Sequence, residues 1–237
     1  MATYVLIHGA GSEGWYWHLV VPRLEALGHR CVTMDLPVDD DAADLDAYTD
    51  VVVEAIDAAP SVEEPVIVVA QSLGGFVGPL VCARVPVQLL VLLAAMVPQP
   101  GEPPGQWWSA TGHAEALTAA ARRDGRDPAL DDDPEALFLH DLPPAVLDGV
   151  LARGAKRQSG APFEKPWPLD AWPDVPTRFL LCRDDRFFPP DFQRRVVAER
   201  LGIVPDEMSG GHLPAFAHPD ELVEHLEAYR IELAGQT

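Results

Sequence analysis

Apolar positions along the chain follow two alternating patterns. Five short runs, TYVLIH (3–8), RCVTMD (30–35), PVIVVA (65–70), LLVLLA (89–94) and TRFLLC (177–182), and a weaker one near 203–208, are rich in Val, Ile and Leu. They are too short for core helices, and near-continuous apolarity is what strands covered on both faces require. Between them the spacing becomes helical. Leu45, Tyr48, Val52, Ile56 and Ala59 share one face, as do Leu73, Phe76, Val77, Leu80 and Val81, and later Leu222, Val223, Leu226 and Tyr229. This alternation predicts an α/β fold: a doubly wound, mainly parallel six-stranded sheet in the order 2-1-3-4-5-6.

One interval breaks the pattern. Residues 98–176 form a connection far longer than a crossover helix needs, leaving through PQPGEPPG and returning through KPWPLDAWPDVP. Helical spacing near 106–123, 133–140 and 143–153, with Trp107, Trp108, Phe138, Phe163, Trp167 and Trp172, predicts an inserted helical cap rather than a structureless loop. The expected organisation is a single domain, with a core of 1–97 and 177–237 and a cap of 98–176.

Charge and cysteine content narrow the partners. The 237 residues carry a net charge of -20, which repels a phosphate backbone or an anionic membrane, so neither nucleic acid nor membrane is an expected partner. No run approaches the roughly 20 apolar residues of a membrane span, and MATYVLIHGAG lacks the features of a signal peptide. The expectation is a cytoplasmic protein. Cys31, Cys82 and Cys182 are odd in number and sit in apolar runs, which predicts buried free thiols. The acidic runs 39–44 and 131–133 lack the ligand spacing of a Ca²⁺ loop and read as solvated. No metal or organic cofactor is implied.

Candidate chemistry clusters after the apolar runs. Gly9, Gly11 and Gly14 spell G-x-G-x-x-G, with Asp35 about twenty residues on, which matches a dinucleotide fingerprint; the same stretch contains His8-Gly9, the start of an oxyanion-hole loop. VVAQSLGGF decides between them. Ser72 stands at a strand-to-helix junction with Ala70 two before and Gly74 two after, the small neighbours that a sharp nucleophile turn demands. A serine hydroxyl needs a base, and the base needs a carboxylate to hold its tautomer. Both arrive in order: Asp184 or Asp185 after the fifth run, and His212 in SGGHLPAFAHP after the sixth. The backbone N–H groups of Ala10 and Leu73 flank the crevice between strands one and three and would pair as oxyanion donors. The cofactor reading leaves Ser72, the acid and His212 without work, so Asp35 reads as a loop-capping carboxylate.

At these residues the chain resembles the α/β-hydrolases, in the branch holding plant methyl-ester hydrolases, such as methyl salicylate esterases, and hydroxynitrile lyases. VLIHGAGSEGWYW, LEALGHRCVTMDLP, AQSLGGF, CRDDRFFPPDFQRR and GGHLPAFAHPDEL carry the likeness. The resemblance implies Asp185 as the acid, between Cys182 and Pro189, with Ser72 as nucleophile, His212 as base, and Ala10 and Leu73 as oxyanion donors. The lyases carry a threonine where this chain has Gly9 and a lysine where it has Leu213, which points to hydrolysis. Gln71 and Ala70 depart from the histidine and glycine usual at those positions.

The resulting expectation is a serine-dependent hydrolase of a small, apolar or aromatic carboxylic ester, acting through an acyl-enzyme. Gly9, Gln71, Trp107, Trp108, His140 and Leu213 are the candidate substrate contacts, with His140-Asp141 as an auxiliary polar pair. The alternatives are a lyase or cyclase acting on a secondary metabolite, a small-ligand receptor and, least of all, an NAD(P)-binding reductase. Nothing in the sequence speaks to oligomeric state.

Overall fold

A computed structural model describes residues 1–59, 64–128 and 133–235. Asp131 and Asp132 of the second acidic run lie outside the described residues, whereas Asp39, Asp40 and Asp41 of the first are exposed. Strands β1 (Thr3–Ile7), β2 (Arg30–Thr33), β3 (Val66–Gln71), β4 (Leu89–Leu93), β5 (Thr177–Cys182) and β6 (Asp206–Met208) form one sheet in the order β2-β1-β3-β4-β5-β6. Every neighbouring pair is parallel. The last strand is shorter than its apolar run, because Val204 turns out to solvent at 90% exposure.

Alternate strand residues feed two cores, as the two-residue period of a strand requires. Val5, Ile7, Val68, Ala70, Leu90 and Leu92 face one side, against α2 (Leu45–Ala58), α3 (Gly74–Cys82) and α7 (Pro190–Leu201). Tyr4, Leu6, Ile67, Val69, Val91 and Leu93 face the other, against α1 (Val21–Ala26), the short α8 (Pro214–Ala217) and α9 (Pro219–Ala234). Both faces are covered, which explains the nearly unbroken apolar runs. Helix starts follow local chemistry. The Asp44 side chain caps α2 by accepting from the Asp46 and Ala47 amides, and α7 and α9 open on proline, whose missing N–H costs nothing there.

Between β4 and β5 the chain forms α4 (Pro104–Thr111), α5 (His113–Arg123) and α6 (Pro144–Arg153), with a single π-helical turn at Glu135–Leu139. The one helix expected near 106–123 is therefore two, broken at Gly112, whose φ of 65° only glycine takes easily. The three cysteines are free. Cys182 is buried, but Cys31 and Cys82 are partly exposed at the ends of their elements, which corrects the expectation of three buried thiols. Among the described residues no helix is long and apolar enough to cross a membrane.

Candidate active site

Parallel register brings the carboxyl ends of all six strands to one edge of the sheet, and the candidate residues follow those ends. Ser72 comes directly after β3, at φ 52°. A non-glycine residue in this region stores about 1–3 kcal/mol of strain and persists only where its surroundings enforce it. They do so here: Ser72 N–H donates to Leu93 C=O, and Ser72 C=O accepts from the Gly75 and Met96 amides. A Cβ on Gly75 would stand 1.9 Å from Met96 O, so glycine is required where β4 exits past this turn.

Three side chains form a continuous relay. His212 Nε2 lies 2.9 Å from Ser72 Oγ, and His212 Nδ1 lies 2.9 Å from Asp185 Oδ2. In the neutral tautomer these partners require, Nδ1–H donates to the carboxylate and Nε2 accepts from the hydroxyl. Asp185 Oδ1 accepts from the Phe187 and Phe188 amides at 2.9 and 2.8 Å, and its side chain is fully buried. Asp184 faces away and takes the Gly210 amide instead. The rings of Phe187, Phe188 and Phe138 surround the His212 imidazole at centroid distances of 5.0, 4.9 and 5.5 Å.

The loop after β1 forms the opposite wall. Burial pushes the His8 imidazole down to about 4, so it is neutral near pH 7. Its Nδ1–H donates to Gly9 C=O and its Nε2 accepts from Leu36 N–H. Because the peptide is planar and trans, fixing Gly9 C=O also fixes the direction of the Ala10 N–H. The glycine-rich loop does not open a helix. It runs into a tight 3₁₀ turn at Gly14–Trp17, α1 starts only at Val21, and Asp35 Oδ1 caps the Gly14 amide. A dinucleotide pyrophosphate would find no helix N-terminus there.

Above this relay opens a cavity of about 670 Å³. Ala10, Gln71, Ser72, Leu73, His212 and Leu213 form its floor, and Trp15, Tyr16, Trp108, Phe138, Phe163 and Phe216 are its aromatic walls. Glu13, Arg153 and Lys156 sit at the rim, where hydrogen bonds from Lys156 and Arg153 hold the Glu13 carboxyl below its ordinary range. The same 153–158 stretch ties back to the β1 loop through Lys156 N–H to Gly11 C=O and Gly11 N–H to Gln158 Oε1.

Some expected contacts lie elsewhere. Trp107 is fully buried, with its indole N–H on Val97 C=O and its ring against Phe188 and Phe192, so it packs behind the loop that follows β5 and does not line the cavity. His140 packs against Gly211, behind the His212 loop, and is also outside the cavity. Gly9 sits beneath the floor, where an added Cβ would stand 2.5 Å from Gln71 Oε1 and 2.8 Å from Ser72 Cβ. Gln71, besides facing the cavity, donates to His212 C=O. Sequence reasoning passed over Trp15, Tyr16, Phe187 and Phe216, although each adjoins a motif it singled out. It also passed over His113, buried at the start of α5, whose Nε2 reaches Phe187 C=O at 2.7 Å and which burial holds below the usual imidazole range.

A family model described as "Alpha/beta hydrolase family" matches residues 4–225. The chain belongs to the alpha/beta hydrolase family. It is 25% identical to Methylesterase 2 of Arabidopsis thaliana over 253 residues, covering 95% of this chain and 94% of that one. It is 24% identical to Norfluorocurarine synthase 1 of a Strychnos species over 258 residues, covering 94% and 93%. Among solved structures, that of polyneuridine aldehyde esterase superposes with a TM-score of 0.78 at 20% identity, covering 97% of this chain and 99% of that one, a likeness of fold. For this alpha/beta hydrolase the sheet order, the strand-end placement of Ser72 and the long β4–β5 connection are parts of one architecture.

Proposed function

We propose that this alpha/beta hydrolase is a serine-dependent carboxylic ester hydrolase in which residues 98–176 act as a cap over the site. The observation that carries the reading is the Asp185–His212–Ser72 relay, with both contacts at 2.9 Å, at the floor of an aromatic-walled cavity. Its similarity to a methylesterase supports the same chemistry. Ser72 Oγ attacks the ester carbonyl carbon as His212 Nε2 takes its proton, and the Ala10 and Leu73 N–H groups receive the oxyanion. The imidazolium, steadied by Asp185, gives that proton to the departing alkoxide. Water then enters and attacks the acyl carbon as it loses a proton to His212 Nε2; the bond from that carbon to Oγ breaks, His212 returns the proton to Oγ, and the acid leaves.

A cavity of about 670 Å³ with aromatic walls is of the size that takes small-molecule ligands, which supports an apolar or aromatic ester as the substrate. The test is labelling with a fluorophosphonate and mapping of the modified peptide, alongside turnover of p-nitrophenyl esters of increasing acyl size. Ser72 should carry the label, and Ser72→Ala should lose on the order of 10³–10⁶ in kcat while folding normally. Full activity in Ser72→Ala would falsify the assignment.

A second reading keeps the relay and changes the outcome to a non-hydrolytic step. Similarity to a protein named as a synthase favours it. Turnover in ¹⁸O-labelled water separates the two, because hydrolysis places one labelled oxygen in the acid product and a non-hydrolytic step does not.

A further inference from the structure

The loop carrying His212 is held by three carboxylates on three successive backbone N–H groups. Ser209 N–H donates to Glu221 Oε1 at 2.9 Å, Gly210 N–H to Asp184 Oδ2 at 3.1 Å, and Gly211 N–H to Asp141 Oδ2 at 2.6 Å. Directly after them, His212 C=O accepts from Gln71 Nε2 at 3.1 Å. Glu221 lies in α9 and Asp184 in the loop after β5, so both belong to the sheet core. Asp141 lies instead in the β4–β5 connection, 70 residues away in sequence.

The contact is close from both sides. A Cβ on Gly211 would stand 2.8 Å from His140 Nε2 and 3.0 Å from Asp141 Oδ1, so only glycine lets the pair approach. Asp141 Oδ1 and His140 Nε2 are buried without a hydrogen-bond partner among the described residues. Burying such groups opposes folding. What the arrangement gains is one short, charge-assisted bond to the residue preceding His212.

We propose that Asp141 is a positioning residue for His212: its carboxylate fixes the backbone of the base loop, so the 98–176 segment must be seated for the base to be aimed at Ser72. The inference rests on the ester-hydrolase reading above. The charged and titratable groups around Asp141 are His140 beside it, His218 with Nε2 4.0 Å from Oδ2, Asp184 through Gly210, and Arg186, whose charge acts on His140. Burial, and then Arg186, hold His140 below the ordinary imidazole range, so it adds no positive charge to the group near pH 7.

The experiment compares wild type, Asp141→Ala, Asp141→Asn and Asp141→Glu on a short p-nitrophenyl ester, with thermal unfolding of each. Asp141→Ala should lose about 10–100-fold in kcat with KM within twofold, the cost of a misaimed base. Asp141→Asn keeps an acceptor for Gly211 N–H and should recover kcat to within a few-fold of wild type. A fall in kcat at steady KM, rescued by the amide that keeps the acceptor, is a split that a merely structural loss would not produce. Should Asp141→Ala fail to fold, Asp141→Glu decides: its carboxylate is carried one methylene further and cannot hold the Gly211 amide in the same place, so a severalfold fall in kcat at unchanged KM supports the proposal, and wild-type kcat overturns it. Folded Asp141→Ala with wild-type kcat overturns it too, while leaving the ester-hydrolase reading intact. A wild type that neither turns over nor takes the fluorophosphonate label at Ser72 overturns that reading, and this inference with it.

Discussion

In the central strands almost every residue is buried, whereas α6 in the long connection buries none of its residues and α5 buries only His113, Ala120 and Ala121. The difference follows from what each region borders. A strand in the middle of this sheet meets packed helices on both faces. The connection meets a packed core on one side and the open cavity on the other, so apolar residues such as Val150 and Leu151 form walls. Rigid register therefore carries the residues proposed for chemistry, and a looser layer shapes the space for substrate. The connection is anchored at separate points along its length, among them Glu102, paired with Arg200 of α7, and His113, on Phe187 C=O. Trp107 and Trp167 enter the core beside the sheet, the 153–158 stretch ties to the β1 loop, and Asp141 reaches the His212 loop.

That contrast can be broken or sharpened by substitution, beginning below the loss expected from Ser72→Ala. Neighbouring tryptophans offer the cleanest contrast. Trp107→Ala removes a fully buried anchor against Phe188 and Phe192 and should destabilise the protein by about 3–5 kcal/mol in urea unfolding, with KM for a p-nitrophenyl ester nearly unchanged. Equal stability in the variant would mean that the connection is not anchored there.

Next in size is an acid effect centred on the core. Burial lowers His8 from 6.5 to about 4, so on acidification the unfolded chain takes up its proton first. The stabilisation is complete above about pH 6.5 and is lost as pH falls toward 4, to a total of about 3 kcal/mol. His113, also lowered by burial, adds to the loss with the same sign. Urea unfolding at a series of pH values should show a steeper decline in wild type than in His8→Gln, whose side chain does not titrate. Parallel declines would remove His8 from the account.

The smallest effect should come from Trp108→Ala. This half-buried ring lines the cavity, and its removal should raise KM for aromatic esters about tenfold, the equivalent of about 1.4 kcal/mol, with stability little changed. A stability loss matching that of Trp107→Ala would erase the distinction between anchor and wall.

Much of the core was legible because its signals are local. Apolar runs of strand length, small residues around Ser72, and an acid and a histidine after successive strands are each written within a few neighbouring positions. The likeness to known hydrolases selected Asp185 over Asp184, and the physical difference between them is where each carboxylate turns: to the Phe187 and Phe188 amides, or to Gly210. Within the connection, spacing located the helices but not their orientation. Trp107 and Trp108 are adjacent and alike in composition, and their fates differ because successive residues on a helix point about 100° apart.

By itself the sequence determined the strands and the strand-end positions of Ser72, of a carboxylate at 184 or 185 and of His212, because strand period and turn sterics act over short stretches of chain. Tertiary structure decided which aromatic rings face the cavity, how large that cavity is, and that His140 and Asp141 stand behind His212 rather than beside the cavity. Those outcomes depend on contacts such as Asp141 to Gly211, 70 residues apart, where only the packed chain brings a buried carboxylate to the one amide it can hold.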